Sequence, residues 1–537
     1  MDSELSSKEG SLKKFGTGYD TPTSENAALK RSRHGILLEP QPTDDPKDPL
    51  NWSLTKKLMI LGVVSFAALA AGTVGQANQF GMNAQAVVYH KDPIKVSYST
   101  AANAAGIATG PLLWVPLSNY LGRSSVIFWT QLLATGMCVW SSLMTGAGDY
   151  NAFIVSRWLA GTFCSASFTL GGGVILDMFF LHQRGKAYAT YTAFWILGAY
   201  LGGTTSGFIV GTQKWPVQFY WVTAVIGLSA ILIFIFMEDT TYDRKHGTHK
   251  SSPTLAESYI VNRIATFFPG HKVIATSPIY RSPIDTILIG VQPITLISGA
   301  FICITFGWAV PVQTLIGVFL QLPKQAGGYG FSGVQVACFS FISWLSIVVA
   351  ETYALLLNDR VPLWVCKRNG GVWRPEFRLY PLMFPPLILL PFALGLFGAA
   401  LQYNLTYWAI AVAFFFVSFA DSIVLPITIN YISECFGNHP TEVFVIVNFY
   451  RFILGATVMF FFEPWVRAVG LGWAFGMMAF FALLGFTGTL GMWWYGPQLR
   501  SLTYIKRFVA TEEGDNLFGH VSPVDRESLH VTQEKMS

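Results

Sequence analysis

The sequence predicts an all-α membrane protein of twelve transmembrane helices, arranged as two pseudo-symmetric halves of six. Three observations predict it. Of 537 residues, 52% are apolar and 15% aromatic, and the 12% that carry charge are about half the share usual in a soluble domain. The apolar residues gather into repeated runs of about 18 or more, the length that crosses a hydrocarbon core. A polar stretch over 238–285 divides those runs six from six.

Residues 1–56 are polar and rich in Ser, Lys and Asp, so they predict a disordered cytoplasmic tail with no cleavable signal peptide. At about 20 residues per crossing, with allowance for tilt, the first six spans fall near 57–80, 98–119, 126–146, 151–179, 188–211 and 216–237. These make an N-terminal half, 57–237. The linker 238–285 is hydrophilic, except that 255–268 has an apolar side suited to a surface helix on the bilayer interface. The second half, 286–494, holds spans near 286–312, 331–357, 381–401, 407–433, 441–466 and 472–494, and a polar cytoplasmic tail occupies 495–537.

Orientation follows from the basic residues: 28 of the 35 Lys and Arg lie on the side of the two termini, five on the other side and two inside spans. That excess places both termini in the cytoplasm. The outer loops are short apart from 81–97 and 313–330, which leaves no room for a folded ectodomain. Asn404-Leu405-Thr406 is an outward-facing sequon, which makes Asn404 a glycosylation candidate. A net charge of +5 is too small at this length to indicate nucleic-acid binding. The six cysteines show neither a disulfide framework nor metal-ligand spacing, so no metal and no cofactor is expected. No Walker lysine, serine elbow or H-E-x-x-H pair occurs, which argues against an enzyme and against ATP as the energy source.

Charge inside hydrocarbon is costly, and it marks function by default. Two acids and two bases remain there: Glu351 in helix eight, Asp421 in helix ten, Arg157 in helix four and Arg451 in helix eleven. Asp421 and Arg451 lie at similar depth on successive helices, so an ion pair is expected. Two roles are open to it. It can neutralise two buried charges and hold the helices in register, or Asp421 can take up and release a proton as the cavity dries and as Arg451 approaches.

Helix two ends in Gly110-Pro111-Leu112-Leu113-Trp114-Val115-Pro116-Leu117-Ser118-Asn119-Tyr120-Leu121-Gly122-Arg123. Here the chain resembles the major facilitator superfamily, whose signature at this turn reads Gly-x-Leu-x-Asp-Arg-x-Gly-Arg-Arg. Gly122 and Arg123 match it, whereas Val115, Asn119, Tyr120 and Ser124 depart from it. The resemblance implies a charge relay that latches the halves on the cytoplasmic side. With Asn119 in place of the acid, that latch has to rest on hydrogen bonds or on Asp177. Asp177-Met178-Phe179-Phe180-Leu181-His182-Gln183-Arg184-Gly185-Lys186 resembles the turn after helix four and brings Arg184 to it.

Arg157-Trp158-Leu159-Ala160-Gly161 is similar to the family's Arg-x-x-x-Gly pattern, which implies a cavity-facing arginine tied to proton movement. Gly198-Ala199-Tyr200-Leu201-Gly202-Gly203-Thr204-Thr205-Ser206-Gly207 resembles the antiporter signature of helix five, with Gly203 where the proline belongs and Ser206 where a glycine does. The small residues Gly198, Gly202, Gly203 and Ser206 let another helix approach closely, so this stripe, with Gly207, is a gating candidate as a sliding contact between the halves, with ordinary tight packing in a static bundle as the alternative. Asp45-Pro46-Lys47-Asp48-Pro49-Leu50-Asn51-Trp52 before helix one and Pro375-Glu376-Phe377-Arg378-Leu379 before helix nine resemble the fungal twelve-helix drug:proton antiporter-like branch.

In that family helices one, four, seven and ten line a central cavity. The resemblance therefore nominates Gln76, Asn78 and Gln79, Arg157, Gln292, and Ser418, Asp421, Asn430 and Tyr431, with Tyr191, Trp195, Trp308 and Phe415 as aromatic ligand contacts. A cavity that is aromatic and poor in charge suits an amphipathic organic molecule. The expected function is alternating-access transport in the plasma membrane by a monomer that exports a small organic substrate in exchange for protons. Proton-coupled import of a nutrient or an organic cation such as a polyamine is the alternative within transport. A transport-inactive sensor or scaffold is the alternative outside it.

Overall fold

The computed structural model describes residues 40–46, 48–242, 266–268, 281–358, 360–369, 374–436 and 439–502, and among them every regular element is helical. In the first half, α1 is Leu54–Gln76, α2 is Tyr98–Thr109 continued by Pro111–Leu121, and α3 is Arg123–Leu143. They are followed by α4, Tyr150–Met178, α5, Leu181–Thr212, and α6, Val217–Phe236. In the second half, α7 is Arg281–Gly290 continued by Pro293–Gln321, and α8 is Gly333–Phe339 continued by Phe341–Leu357. The remaining four are α9, Leu390–Gln402, α10, Tyr407–Cys435, α11, Pro440–Val469, and α12, Leu471–Ser501. Most of both expected tails, 1–39 and 503–537, and most of the linker, including 255–265, lie outside the described residues.

Eleven of the described helices are long and apolar enough to cross a membrane. The twelfth expected span, α2, falls short of that length because it divides at Gly110-Pro111 into pieces of 12 and 11 residues. Pro111 has no N–H to donate to the preceding turn. The backbone at the break is pressed against α4: an added Cβ on Gly110 would stand 2.6 Å from the Thr162 carbonyl, and one on Gly106 would stand 2.6 Å from the Thr162 amide nitrogen. Other ends differ from expectation by a turn or two. α5 begins at Leu181, α7 runs on to Gln321 and α12 to Ser501, because helical backbone bonds satisfy themselves as well outside hydrocarbon as within it. α9 is entered through a 3-10 turn at Pro375–Leu382 and a π turn at Pro385–Leu389, where closely spaced prolines interrupt the regular ladder.

The helix pairings repeat. α1 packs on α5, α2 on α4 and α3 on α6; in the second half α7 packs on α11, α8 on α10 and α9 on α12. That repetition is the mark of a duplicated six-helix unit. The face at which α1 begins and α12 ends carries ion pairs: Lys56 Nζ to Glu238 at 2.6 Å, Arg378 Nε to Glu434 at 2.5 Å and Arg500 Nη2 to Glu376 at 3.0 Å. Phe267, the described end of the expected surface helix, packs near this face between Phe128 and Phe234, and its carbonyl accepts hydrogen bonds from Ser125 and Trp129.

The halves touch at both faces. At the face opposite the termini, Gln79 Nε2 donates to the Gln313 carbonyl at 2.6 Å, Asn83 Nδ2 donates to Gln321 Oε1 at 2.8 Å, and the rings of Tyr98 and Phe460 are 4.8 Å apart. At the terminus-bearing face, Thr441 and Glu442 of α11 close a cavity of about 60 Å³ against Val115, Asn119, Arg123 and Gly173. Between the faces, Phe306, Val445 and Phe452 of the second half join the apolar core of the first.

Candidate functional site

Asp421 sits in the middle of α10, where a carboxylate must find a counter-charge or remain protonated. It is only 6% exposed, and Arg451 Nη2 of α11 stands 3.6 Å from its Oδ2. The rest of the Arg451 guanidinium is boxed by rings: its carbon lies 4.3 Å from the centroid of Phe306, 5.3 Å from Phe452 and 5.9 Å from Trp195. Aromatic faces attract a cation, so the box holds the arginine while excluding water. Trp195 belongs to α5, in the other half, and stacks on Phe168 of α4 at 5.0 Å.

Two further residues complete this site. Gln313 of α7 lies beside Asp421, and Tyr200 of α5 lies beside Asp421, Ser418 and Ser422. Sequence reasoning passed over both. Gln313 falls one residue beyond the expected end of helix seven, and Tyr200 lies within the glycine signature of helix five. An uncharged polar side chain within an apolar run is the signal that marks each.

The structure brings some nominated residues to this junction and sends others elsewhere. Trp195 and Ser418 are part of it, and Gln79 bonds across the halves above it. Gln76 is half-buried on α1. Arg157 is fully buried but lies inside the first half rather than facing a central cavity: Nη2 donates to the Val74 carbonyl at 2.6 Å and the guanidinium stacks 5.4 Å from the Phe219 ring of α6. Asn78 is likewise internal, donating to Gln85 at 3.0 Å and Ser99 at 3.1 Å while accepting from Gln218 at 3.1 Å. Tyr191 points its hydroxyl at the Ser167 carbonyl, 2.5 Å away, beneath Gly171.

Trp308 faces Trp465 and Phe481 within the second half. Tyr431 is buried near Cys435, Glu376 and Arg500. Gln292 begins the second piece of α7 and donates to the Leu288 carbonyl. Phe415 lies parallel to Phe419 at 6.3 Å, and Asn430 is exposed. Helical periodicity explains these departures: a polar residue in a span has several faces to choose from, and intrahelical position alone does not select the central one. Glu351 is half-buried on α8 and makes no ion pair among the described residues. Asn404 is exposed and in the left-handed region at φ 48°, a conformation asparagine tolerates.

The turn after α2 is held by Arg123, which pairs with Asp177 and donates from Nη1 to the Gly173 carbonyl at 2.8 Å. Gly122 turns there at φ +84°, and a Cβ on it would come within 2.8 Å of Asp239. Arg184 donates to the Phe179 and Leu176 carbonyls, both at 3.0 Å, and so closes the end of α4. The glycines of α5 divide between two partners. A Cβ on Gly198 or Gly202 would strike the backbone of Leu69 or Thr73 in α1, within the same half, so at these two positions the stripe is not a contact between halves. Gly203 abuts the Gln79 side chain. Gly207 does cross: a Cβ there would stand 2.8 Å from that of Ala337 in α8.

The family model of the Major Facilitator Superfamily matches residues 58–459. Among curated proteins, the chain is 25% identical over 490 residues to "MFS transporter fsa7" of a Fusarium species, covering 90% of this chain and 91% of that protein. It is 23% identical over 474 residues to "Efflux pump radE" of Floropilus chiversii, covering 85% and 84%. It is 26% identical over 467 residues to "Major facilitator superfamily multidrug transporter mdrA" of Aspergillus fumigatus, covering 85% and 74%. Among solved structures, a D-xylose-proton symporter aligns at a TM-score of 0.58 with 16% identity, over 85% of this chain and 99% of that one.

Proposed function

The chain belongs to the major facilitator superfamily and is a secondary membrane transporter, not an enzyme; on that premise we propose that it exports a small hydrophobic or amphipathic organic compound in exchange for protons. The observation that carries this reading is the position of Asp421 and Arg451. Their carboxylate and guanidinium belong to α10 and α11, while Trp195 and Tyr200 of α5 cover them from the opposite half. When the halves 57–237 and 286–494 rock apart, that cover is withdrawn and water reaches the pair. Asp421 then exchanges its proton with the side that is open, and Arg451 is alternately held and released. A protonation step tied to which face is open is what proton-coupled alternating access requires.

The aromatic surroundings of the pair offer the substrate an apolar body contact, with Tyr200, Gln313 and Ser418 as polar anchors. The names of the relatives, an efflux pump and a multidrug transporter, favour export. The concentration of Lys and Arg at the terminus-bearing face favours placing that face in the cytoplasm. The plasma membrane, a monomeric state and modification at Asn404 complete the proposal.

The test is transport by the purified protein in proteoliposomes with an imposed pH gradient and a panel of hydrophobic compounds. A substrate should move against the proton flow, and Asp421→Asn should lower gradient-driven transport at least tenfold while exchange of substrate for substrate persists. Movement of substrate with the protons would indicate import. Unchanged gradient dependence in Asp421→Asn would remove this residue from coupling.

A further inference from the structure

α8 is one continuous span by hydropathy, yet its two pieces answer to different halves. Gly333–Phe339 packs mainly on α5, whereas Phe341–Leu357 packs mainly on α10. They meet at Ser340, where the ladder tightens: its amide N–H is shared between the Val336 and Ala337 carbonyls at 3.1 and 3.2 Å. A local tightening of this kind within a helix is a common hinge. The contact of the short piece with α5 is close enough to need small residues on both sides. A Cβ on Gly333 would stand 2.7 Å from Gly211 Cα, and Gly207 meets Ala337.

A hydrogen-bond relay crosses the halves at the same point. Trp344 Nε1 donates to Thr204 Oγ1 at 2.9 Å, the Thr204 hydroxyl donates to Ser340 Oγ at 2.7 Å, and the Ser340 hydroxyl donates to the Ala337 carbonyl at 2.7 Å. The last of these fixes the polarity of the chain, since a hydroxyl that donates to Ala337 must accept from Thr204. Thr204 is 5% exposed and Ser340 6%, so water does not replace these bonds while the face is closed.

We infer that Gly333–Phe339 is a gate segment hinged at Ser340, and that the Trp344–Thr204–Ser340 relay is the latch that pins the hinge and the start of the second piece to α5 when the face opposite the termini is shut. The segment can then part from α5 by bending about a point the relay keeps in place, whereas the wider opening in which the whole of α8 leaves α5 has to break both bonds of Thr204. The latch contains no ionisable side chain, so its strength is independent of pH. It adds the same stabilisation to the closed face in either protonation state of Asp421, so the pH dependence of opening has to come from elsewhere. The inference rests on alternating access and needs neither proton coupling nor export.

The test is a distance distribution measured by pulsed electron paramagnetic resonance on the full chain in nanodiscs. Spin labels at Lys214→Cys and Lys324→Cys, on exposed loops of the two halves, report that face, with the exposed Cys338 replaced by alanine. Thr204→Val and Ser340→Ala should each raise the ratio of open to closed populations about 2- to 12-fold per lost bond. Thr204→Ser, which keeps the hydroxyl, should return the wild-type distribution. Unchanged distributions in both variants, in protein that stays monodisperse, would overturn the latch. A wild type with no open population and no response in any variant would overturn alternating access as well.

Discussion

Asp421 and Asn78 are both buried polar residues in apolar helices, yet their surroundings give them opposite meanings. Asn78 is saturated by Gln85, Ser99 and Gln218, all from its own half, and Gln218 also accepts from Ser206. Such a network specifies packing, and removing its centre strands the partners. Asn78→Ala should therefore destabilise the first half by about 1–3 kcal/mol, seen as a lower melting temperature in detergent, with the substrate profile of the surviving protein unchanged. Among the described residues Asp421 has one ion-pair partner, at 3.6 Å, and neighbours from both halves, so its environment changes whenever the halves move. Arg157 belongs with Asn78 in location, since α1 and α6 enclose it, although the resemblance of its segment to the family's Arg-x-x-x-Gly pattern implies a cavity-facing side chain.

At the scale of the element, α5 is one of the helices through which the two halves meet, and its glycines have two distinct duties. Gly198 and Gly202 let α1 lie against it, backbone to backbone, inside one half; Gly207 and Gly211 let α8 approach from the other half. A side chain at Gly202 collides with the Thr73 backbone, which cannot rotate away. A methyl at Gly207 collides with the Ala337 side chain on a segment able to withdraw. Gly202→Leu should thus fail at assembly, giving little monodisperse protein. Gly207→Ala should assemble and shift the labelled face towards open. Equal yields for the two variants, measured by fluorescence-detected size exclusion, would contradict this division. The break in α2 follows the same reasoning: Gly106 and Gly110 seat it against α4, and Pro111 relaxes the ladder where that seat is tightest.

Across the whole molecule, the two faces are closed by different chemistry. The face opposite the termini is joined by neutral hydrogen bonds and rings. At the terminus-bearing face Arg123, which pairs with Asp177 inside its own half, and Glu442 of the other half line one small cavity, so opposite charges face each other across it. Charged contacts near the surface weaken as salt rises, whereas neutral ones do not. Arg123→Ala should therefore favour opening at the terminus-bearing face. Added salt should favour the same opening in the wild type and have less effect in the variant. Labels reporting that face would reveal it, and a variant that opened the opposite face instead would refute the assignment.

The class of fold was legible in the chain itself. Apolar runs of spanning length, a polar interval halfway and four ionisable groups in hydrocarbon follow from the cost of exposing backbone and charge to lipid, and that cost acts residue by residue. The pairing of Asp421 with Arg451 was legible for the same reason, because few charges at matching depth leave few possible partners. What only the tertiary structure decided was rotation about each helix axis. That rotation turns Asn78, Tyr191, Trp308 and Tyr431 into their own halves, brings Tyr200 and Gln313 to the buried pair, and assigns the first piece of α8 to the opposite half. In a span apolar on nearly every side, sequence periodicity does not select the inward face. Close packing between particular helices selects it, and that information is spread over pairs of helices far apart in the chain.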